Sequence, residues 1–213
     1  DKASKRFFMR VSFSCSADSK TLRAGFVEIA KRFDLTWDLR AVKDFKVLRT
    51  MNLMEMSPRA SACDAFKDEE YKKCMLQDFT WDQRAKMTQA SWGGSARTPL
   101  LQRYARGVPL QVVVALINTV NKDPWFNLPH NATDDYVNKF ATYVRDNLNS
   151  NLKIHLEYTN EPWNGIFWGA RYVRMRGVAL GLDTTEWRGG YKFYSNRSVE
   201  VFKIWHNIFG GAD

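Results

Sequence analysis

"EYTNEPWNGIF", residues 157–167, carries two carboxylates and two asparagine amides in its first eight positions and directly follows "NLKIHL". Read as a strand from 152 to 161, this segment sends alternate side chains to opposite faces. Ile154, Leu156 and Tyr158 form an apolar face suited to packing under helices, while His155, Glu157, Thr159 and Glu161 share the other. Two acids and a histidine on the inner side of a strand are costly to bury unless they reach solvent or one another. Their density rises toward the strand's C-terminal end, which in a (β/α) barrel is the end that carries the chemistry. Glu161, at the strand exit beside Asn160 and Trp163, is therefore the candidate functional acid. Glu157, deeper in the strand, is expected to belong to a structural hydrogen-bond network.

Working outward, "RFFMRVSFSC" (6–15) alternates with period two and predicts a strand. "TLRAGFVEIAKRFDL" (21–35) places Leu22, Phe26, Ile29, Ala30 and Phe33 at helical spacing, with Asp18 or Ser19 as N-cap. "FKVLRTMNLM" (45–54) predicts a second strand, and 57–106 a loop excursion with some helix. "GVPLQVVVALIN" (107–118) is a continuous β-branched run and predicts a strand covered on both faces. "KDPWFNLPHNAT" (122–133) is punctuated by proline and predicts a loop. Thr133 then caps a helix whose buried stripe is Tyr136, Val137, Phe140, Val144 and Leu148. After the strand at 152–161, "ARYVRMRGVALG" predicts a helix stopped by Gly181. "YKFYSNRSVEVFKIWHNIFGG" predicts another, with Phe202, Trp205 and Phe209 on one face and a stop at Gly210.

Strands alternating with helices mean parallel strands joined by crossovers. The fold class expected is α/β, of the (β/α) TIM-barrel type, as one domain over 1–213. Only about four strands are counted, the first half of an eight-stranded barrel. The other half would come from the same polypeptide or from another chain, because open strand edges leave a half-barrel aggregation-prone.

The chain has 213 residues, and 45% of them are hydrophobic, enough for one substantial core. Its aromatic share of 14%, with eight tryptophans, suits either a bulky core or a cleft whose rings stack on sugars. A net charge of +9 raises the possibility of a polyanionic partner, an acidic polysaccharide included. The lysines and arginines alternate with acids and accompany no nucleic-acid motif, so a solvated basic surface is expected and no nucleic-acid partner. No apolar run approaches the roughly 20 residues of a membrane helix. "DKASKRFF" has neither an initiator Met nor a signal-peptide core, and so reads as a start inside a longer or processed product.

The cysteines Cys15, Cys63 and Cys74 match no metal-site spacing, and neither metal nor cofactor is expected. Cys63 and Cys74 bracket a charged segment and can pair in an oxidising compartment. Two glycosylation sequons, at Asn131 and Asn196, point to the same extracellular, secreted setting. A glycan on Asn131, beside His130, would obstruct a large substrate.

"LRTMN" (48–52), "WDQR" (81–84), "GVPLQ" (107–111), "DPWFNLPHNATDDY" (123–136) and "EYTNEPWN" (157–164) occur in that order. The series resembles a bacterial family of cellulose-binding or glycoside-hydrolase-like proteins, with motifs LRxMD, W-x-x-R, GVPxE, DxWFNIPH and EYSNExWN. The Asn-Glu pair also resembles the signature of the clan of retaining (β/α)8-barrel glycoside hydrolases. The resemblance covers roughly residues 45 to 209. It implies Glu161 as general acid/base, Asn160 as the amide that holds a sugar 2-hydroxyl, and Arg49 as the arginine that holds the nucleophile's charge. It also implies a cleft lined by Trp125, His130 and Trp163. The sequence departs from the pattern at Asn52, where the family has aspartate, and at Gln111, where it has glutamate, each keeping shape and deleting an anion.

Retaining hydrolysis needs two carboxyl groups about 5–5.5 Å apart. Glu157 does not serve as the second, because four strand residues span roughly 13 Å. The expectation is a glycoside-hydrolase-like domain acting on or binding a β-linked polysaccharide. The alternative is a non-catalytic carbohydrate-binding or structural extracellular glycoprotein domain derived from such a barrel.

Overall fold

The computed structural model describes residue 42 and residues 44–56, 62–89 and 107–211. The strand expected at 6–15, the helix at 21–35, Cys15, and residues 57–61 and 90–106 of the excursion lie outside them. Within them the chain is a mixed α/β structure around a three-stranded parallel sheet, ordered β1 (Val47–Arg49), β2 (Asp123–Leu128), β3 (His155–Tyr158). Five α-helices accompany it among the described residues: α1 (Asp68–Met75), α2 (Leu110–Val120), α3 (Asp134–Asn147), α4 (Trp168–Ala179) and α5 (Glu186–Ile208). Three strands do not by themselves close a barrel.

Two adjacent expectations are exchanged. The run at 107–118 is helix α2, and the loop expected at 122–133 contains strand β2. The β-branched run conceals a helical period: Leu110, Val113, Val114 and Ile117 are the buried residues of α2, at positions i, i+3, i+4 and i+7. Pro109 stands at the N-cap, and Asn121, in the left-handed region at φ 54°, closes the helix with its N–H on the Ile117 carbonyl.

A proline at the second position of a central strand ordinarily argues against a strand. Here the ladder has no use for the missing N–H. Asp123 N donates to Lys46 O, and Thr50 N donates to Trp125 O, so the odd residues of β2 bond toward β1. Pro124 therefore faces the β3 side, where pairing begins only at Trp125 with His155. The Asp123 carboxylate completes that corner by accepting from Lys153 N at 2.9 Å.

The even-numbered strand residues face the main core. Leu48, Phe126, Leu128, Leu156 and Tyr158 pack with Val113 and Ile117 of α2, Val137, Phe140 and Val144 of α3, and Val201 and Trp205 of α5. The helix after Thr133 forms as expected: Thr133 Oγ1 accepts from Tyr136 N at 3.1 Å, and Asp134 and Asp135 sit in the first turn, where the helix dipole favours acids. Helix α5 begins earlier than expected, and Phe202, assigned to its apolar stripe, is 45% exposed. Phe193, Val201 and Trp205 are its buried apolar residues.

A second cluster joins α1 to α4 and α5 through Met75, Tyr172, Val173 and Phe193, and a disulfide links Cys63 to Cys74 there. Closing so short a loop stabilises the fold by about 2–3 kcal/mol in the chain-entropy account.

Helices α4 and α5 cross at two glycines. A Cβ on Gly177 would lie 2.1 Å from the carbonyl carbon and oxygen of Gly189, so the helices approach to backbone contact. Gly177→Ala is expected to destabilise by about 1–3 kcal/mol, the usual penalty for overpacking. Urea unfolding checks this: the midpoint should fall with an unchanged slope.

Candidate functional site

The odd-numbered strand residues build the opposite face of the sheet. Register places Arg49, Trp125 and His155 in one row, with Asn127 and Glu157 paired in the next toward the carboxyl ends. Glu157 is the centre. Its Oε2 accepts from Arg49 Nη2 at 2.7 Å and from Trp125 Nε1 at 2.8 Å. Arg49 Nη2 also donates to Asn160 Oδ1 at 2.8 Å, and the guanidinium carbon lies 5.1 Å from the centre of the Trp125 ring.

The cluster keeps an open side. Trp125 is 37% exposed, and the Arg49 and Glu157 side chains are 34% and 20% exposed. Both bonds to Glu157 fall on Oε2, which leaves Oε1 without a protein partner among the described residues. An ion pair this exposed contributes about 1 kcal/mol or less to stability. What it fixes is geometry: an aromatic face, an acceptor oxygen and a row of N–H donors, side by side.

Glu161 stands just beyond, in the turn that ends β3. Its backbone is left-handed at φ 41°, a conformation side chains other than glycine seldom adopt. Its carboxylate accepts from Asn164 Nδ2 at 2.8 Å, and its carbonyl accepts from Asn164 N at 3.0 Å. The alternation of 152–161 therefore stops short, because β3 ends at Tyr158 and Glu161 leaves the sheet in a turn. Trp163 is 56% exposed in that turn, and its carbonyl accepts from Arg174.

His130 departs from the cleft-lining role expected of it. It is buried, with its ring edge-on to Trp168 at 5.1 Å and tilted against Tyr172 at 5.0 Å. Neither ring nitrogen has a hydrogen-bond partner among the described residues, and burial lowers its pKa from 6.5 to about 3. Its carbonyl accepts from the Tyr158 hydroxyl at 2.6 Å, and burial pushes that phenol's pKa up, so it stays protonated as the donor.

Neither departure from the motif series stands on a strand. Asn52 is exposed in the turn after β1. Gln111 sits in the first turn of α2, and its Oε1 is buried without a partner among the described residues. A glutamate there would meet the positive end of the helix dipole. The exchange thus bears on the start of a helix.

Of the two sequons, Asn131 is half-buried with its amide donating to Gln77 O at 2.8 Å, and Asn196 is exposed on α5. Glu157 lies in a hydrogen-bond network as expected, and that network is the centre of the exposed cluster. Sequence reasoning missed one residue of the cluster face, Asn127. Asn127 was hidden because 122–133 was read as loop; the alternation in "WFN" would have put it on Trp125's face.

Among the described residues no group of three or more His, Cys, Asp or Glu side chains is placed to hold a metal ion. No described helix is long and apolar enough to cross a membrane. No protein-family model, curated protein or solved structure matches the chain.

Proposed function

We propose that the carboxyl ends of the three strands bind a β-linked polysaccharide, in a glycoside-hydrolase-like domain where Glu161 acts as general acid/base. The supporting observation is the Arg49–Glu157–Trp125 cluster, with its partly exposed ring, unengaged carboxylate oxygen and guanidinium donors. A pyranose presents an apolar C–H face and a rim of hydroxyls, each both donor and acceptor. The ring receives the first, and Glu157 and Arg49 receive the second. Trp163, exposed beside Glu161, extends the aromatic surface along the same exit.

On this reading the parallel sheet is part of a (β/α)8 barrel, completed by strands outside the described residues, from the same polypeptide or another chain. The nucleophile lies with those strands. The Cys63–Cys74 disulfide and the exposed Asn196 sequon support a secreted glycoprotein.

A second reading is binding without turnover. Two observations favour it: the Glu161 carboxylate is engaged by Asn164, and Glu157 is tied to Arg49 and Trp125 rather than aimed across a gap at Glu161. Affinity electrophoresis and reducing-end release on cellulose, mixed-linkage glucan, xylan and mannan separate the two. Retarded migration with release of reducing ends supports hydrolysis; retardation without release supports the binding domain. Absence of both on every polymer overturns the carbohydrate assignment.

A further inference from the structure

Buried polarity in this fold collects at one place. Of the six buried polar side chains among the described residues, all but Asp123 lie at or just past the carboxyl ends of the strands: Thr50, Asn127, His130, Thr159 and Asn160. That end is therefore the place to look for polar groups that serve a ligand. Thr50 and Asn160 have protein partners there, Trp125 O for the first and Arg49 for the second. Asn127 does not. Its side chain is wholly buried, and neither Oδ1 nor Nδ2 meets a hydrogen-bond partner among the described residues. A buried amide with both atoms unpaired is destabilising, and such groups are few in native folds. Asn127 pairs in register with Glu157, whose Oε1 is also unengaged, and it shares the sheet face of Trp125.

We infer that Asn127 is the specificity-determining residue of the glycan site, its amide engaging two neighbouring hydroxyls of a neutral sugar. Oδ1 accepts from one hydroxyl and Nδ2 donates to the oxygen of the next, which is the donor and acceptor pattern that a vicinal diol offers. The inference rests on the carbohydrate reading of this face and adds the class of sugar. A uronate unit offers the same 2,3-diol but brings a carboxylate with it, and burying that charge beside a neutral amide is costly where Arg49 and Glu157 are already paired with each other. Neutral glycans are selected in spite of the net charge of +9. The same-face neighbours Trp125 and Glu157 are partly exposed and joined to each other and to Arg49 by side-chain contacts alone. Access of a ligand to the amide requires rotamer changes of these same-face neighbours, and such changes are fast for partly exposed side chains.

The test is calorimetric titration of the protein with cellohexaose, xylohexaose, mannohexaose and hexagalacturonate. The wild type is expected to bind a neutral hexamer and to bind hexagalacturonate more weakly. Asn127→Leu, nearly the same size but unable to hydrogen-bond, is expected to weaken that binding about 30-fold, the loss of two hydrogen bonds. Its melting temperature should hold or rise, because the unpaired amide is gone. Unchanged affinity in Asn127→Leu, or tighter binding of hexagalacturonate by the wild type, overturns the role of Asn127. The wild-type comparison needs no variant and so survives any folding defect in Asn127→Leu. If the wild type binds none of the four, the carbohydrate reading of the face fails and this inference with it.

Discussion

Lowering the pH from 6.5 to 4.5 is expected to remove about 2–3 kcal/mol of folding stability through one side chain, His130. The imidazole is buried against Trp168 and Tyr172 with neither nitrogen hydrogen-bonded among the described residues, and its pKa is lowered to about 3 by burial. In the unfolded chain it returns to the ordinary 6.5. A base whose folded pKa is depressed stabilises the fold fully above the unfolded pKa, because only the unfolded state takes up the proton as pH falls. The loss begins near pH 6.5 and grows by about 1.4 kcal/mol per pH unit until pH approaches the folded value. The carbonyl of His130 anchors the Tyr158 hydroxyl, so ejecting the ring disturbs the end of β3 as well. Urea unfolding at the two pH values measures the loss in the wild type. In His130→Leu, similar in bulk and without a titrating group, most of that loss should vanish. An equal pH dependence in the variant would place the acid sensitivity elsewhere.

On the hydrolytic reading proposed above, Glu161→Gln is expected to lower polysaccharide hydrolysis by about 10²–10⁴-fold, the usual worth of a positioned proton donor. The fold should tolerate the change, because the glutamine carbonyl can still accept from Asn164 Nδ2, the bond that holds this side chain. Binding should survive too, since the Arg49–Glu157–Trp125 cluster does not include Glu161. The left-handed backbone at Glu161 sharpens the expectation. A non-glycine residue held there costs on the order of 1–3 kcal/mol, and such strain collects at functional sites. Reducing-end assays on the purified variant read the result. Turnover equal to wild type would remove Glu161 from the chemistry.

The sequence made some of this plain and hid the rest, for identifiable reasons. Thr133 with its two following aspartates, and the stripe Tyr136, Val137, Phe140 and Val144, announced α3 because cap, dipole and period all agree. Gly181, at φ 66°, closes the end of α4 as its position suggested. The parity of 154–158 correctly separated Leu156 and Tyr158, in the core, from His155 and Glu157 on the other face. Residues 107–128 misled because local signals opposed the tertiary outcome. Val112, Val113 and Val114 favour strand until a buried environment lets them line a helix, and Pro124 forbids a ladder bond that the sheet never asks of it. Part of the site was lost with that error: with β2 unread, Asn127 had no face, and the cross-strand pairing that sets Trp125 and Asn127 beside Glu157 stayed hidden. His130 looked like a cleft residue in "NLPH" because burial is a property of the packed helices, here α4, and not of the motif.

The most direct measurement on the proposed carbohydrate face is the affinity of Trp125→Ala for the neutral hexasaccharide that the wild type binds best, set beside the wild type. Losing the ring removes the stacking surface and the indole donor to Glu157 together, and the account predicts affinity at least about tenfold weaker, or 1.4 kcal/mol, with the melting temperature little changed. Affinity equal to wild type in a folded Trp125→Ala variant would contradict it.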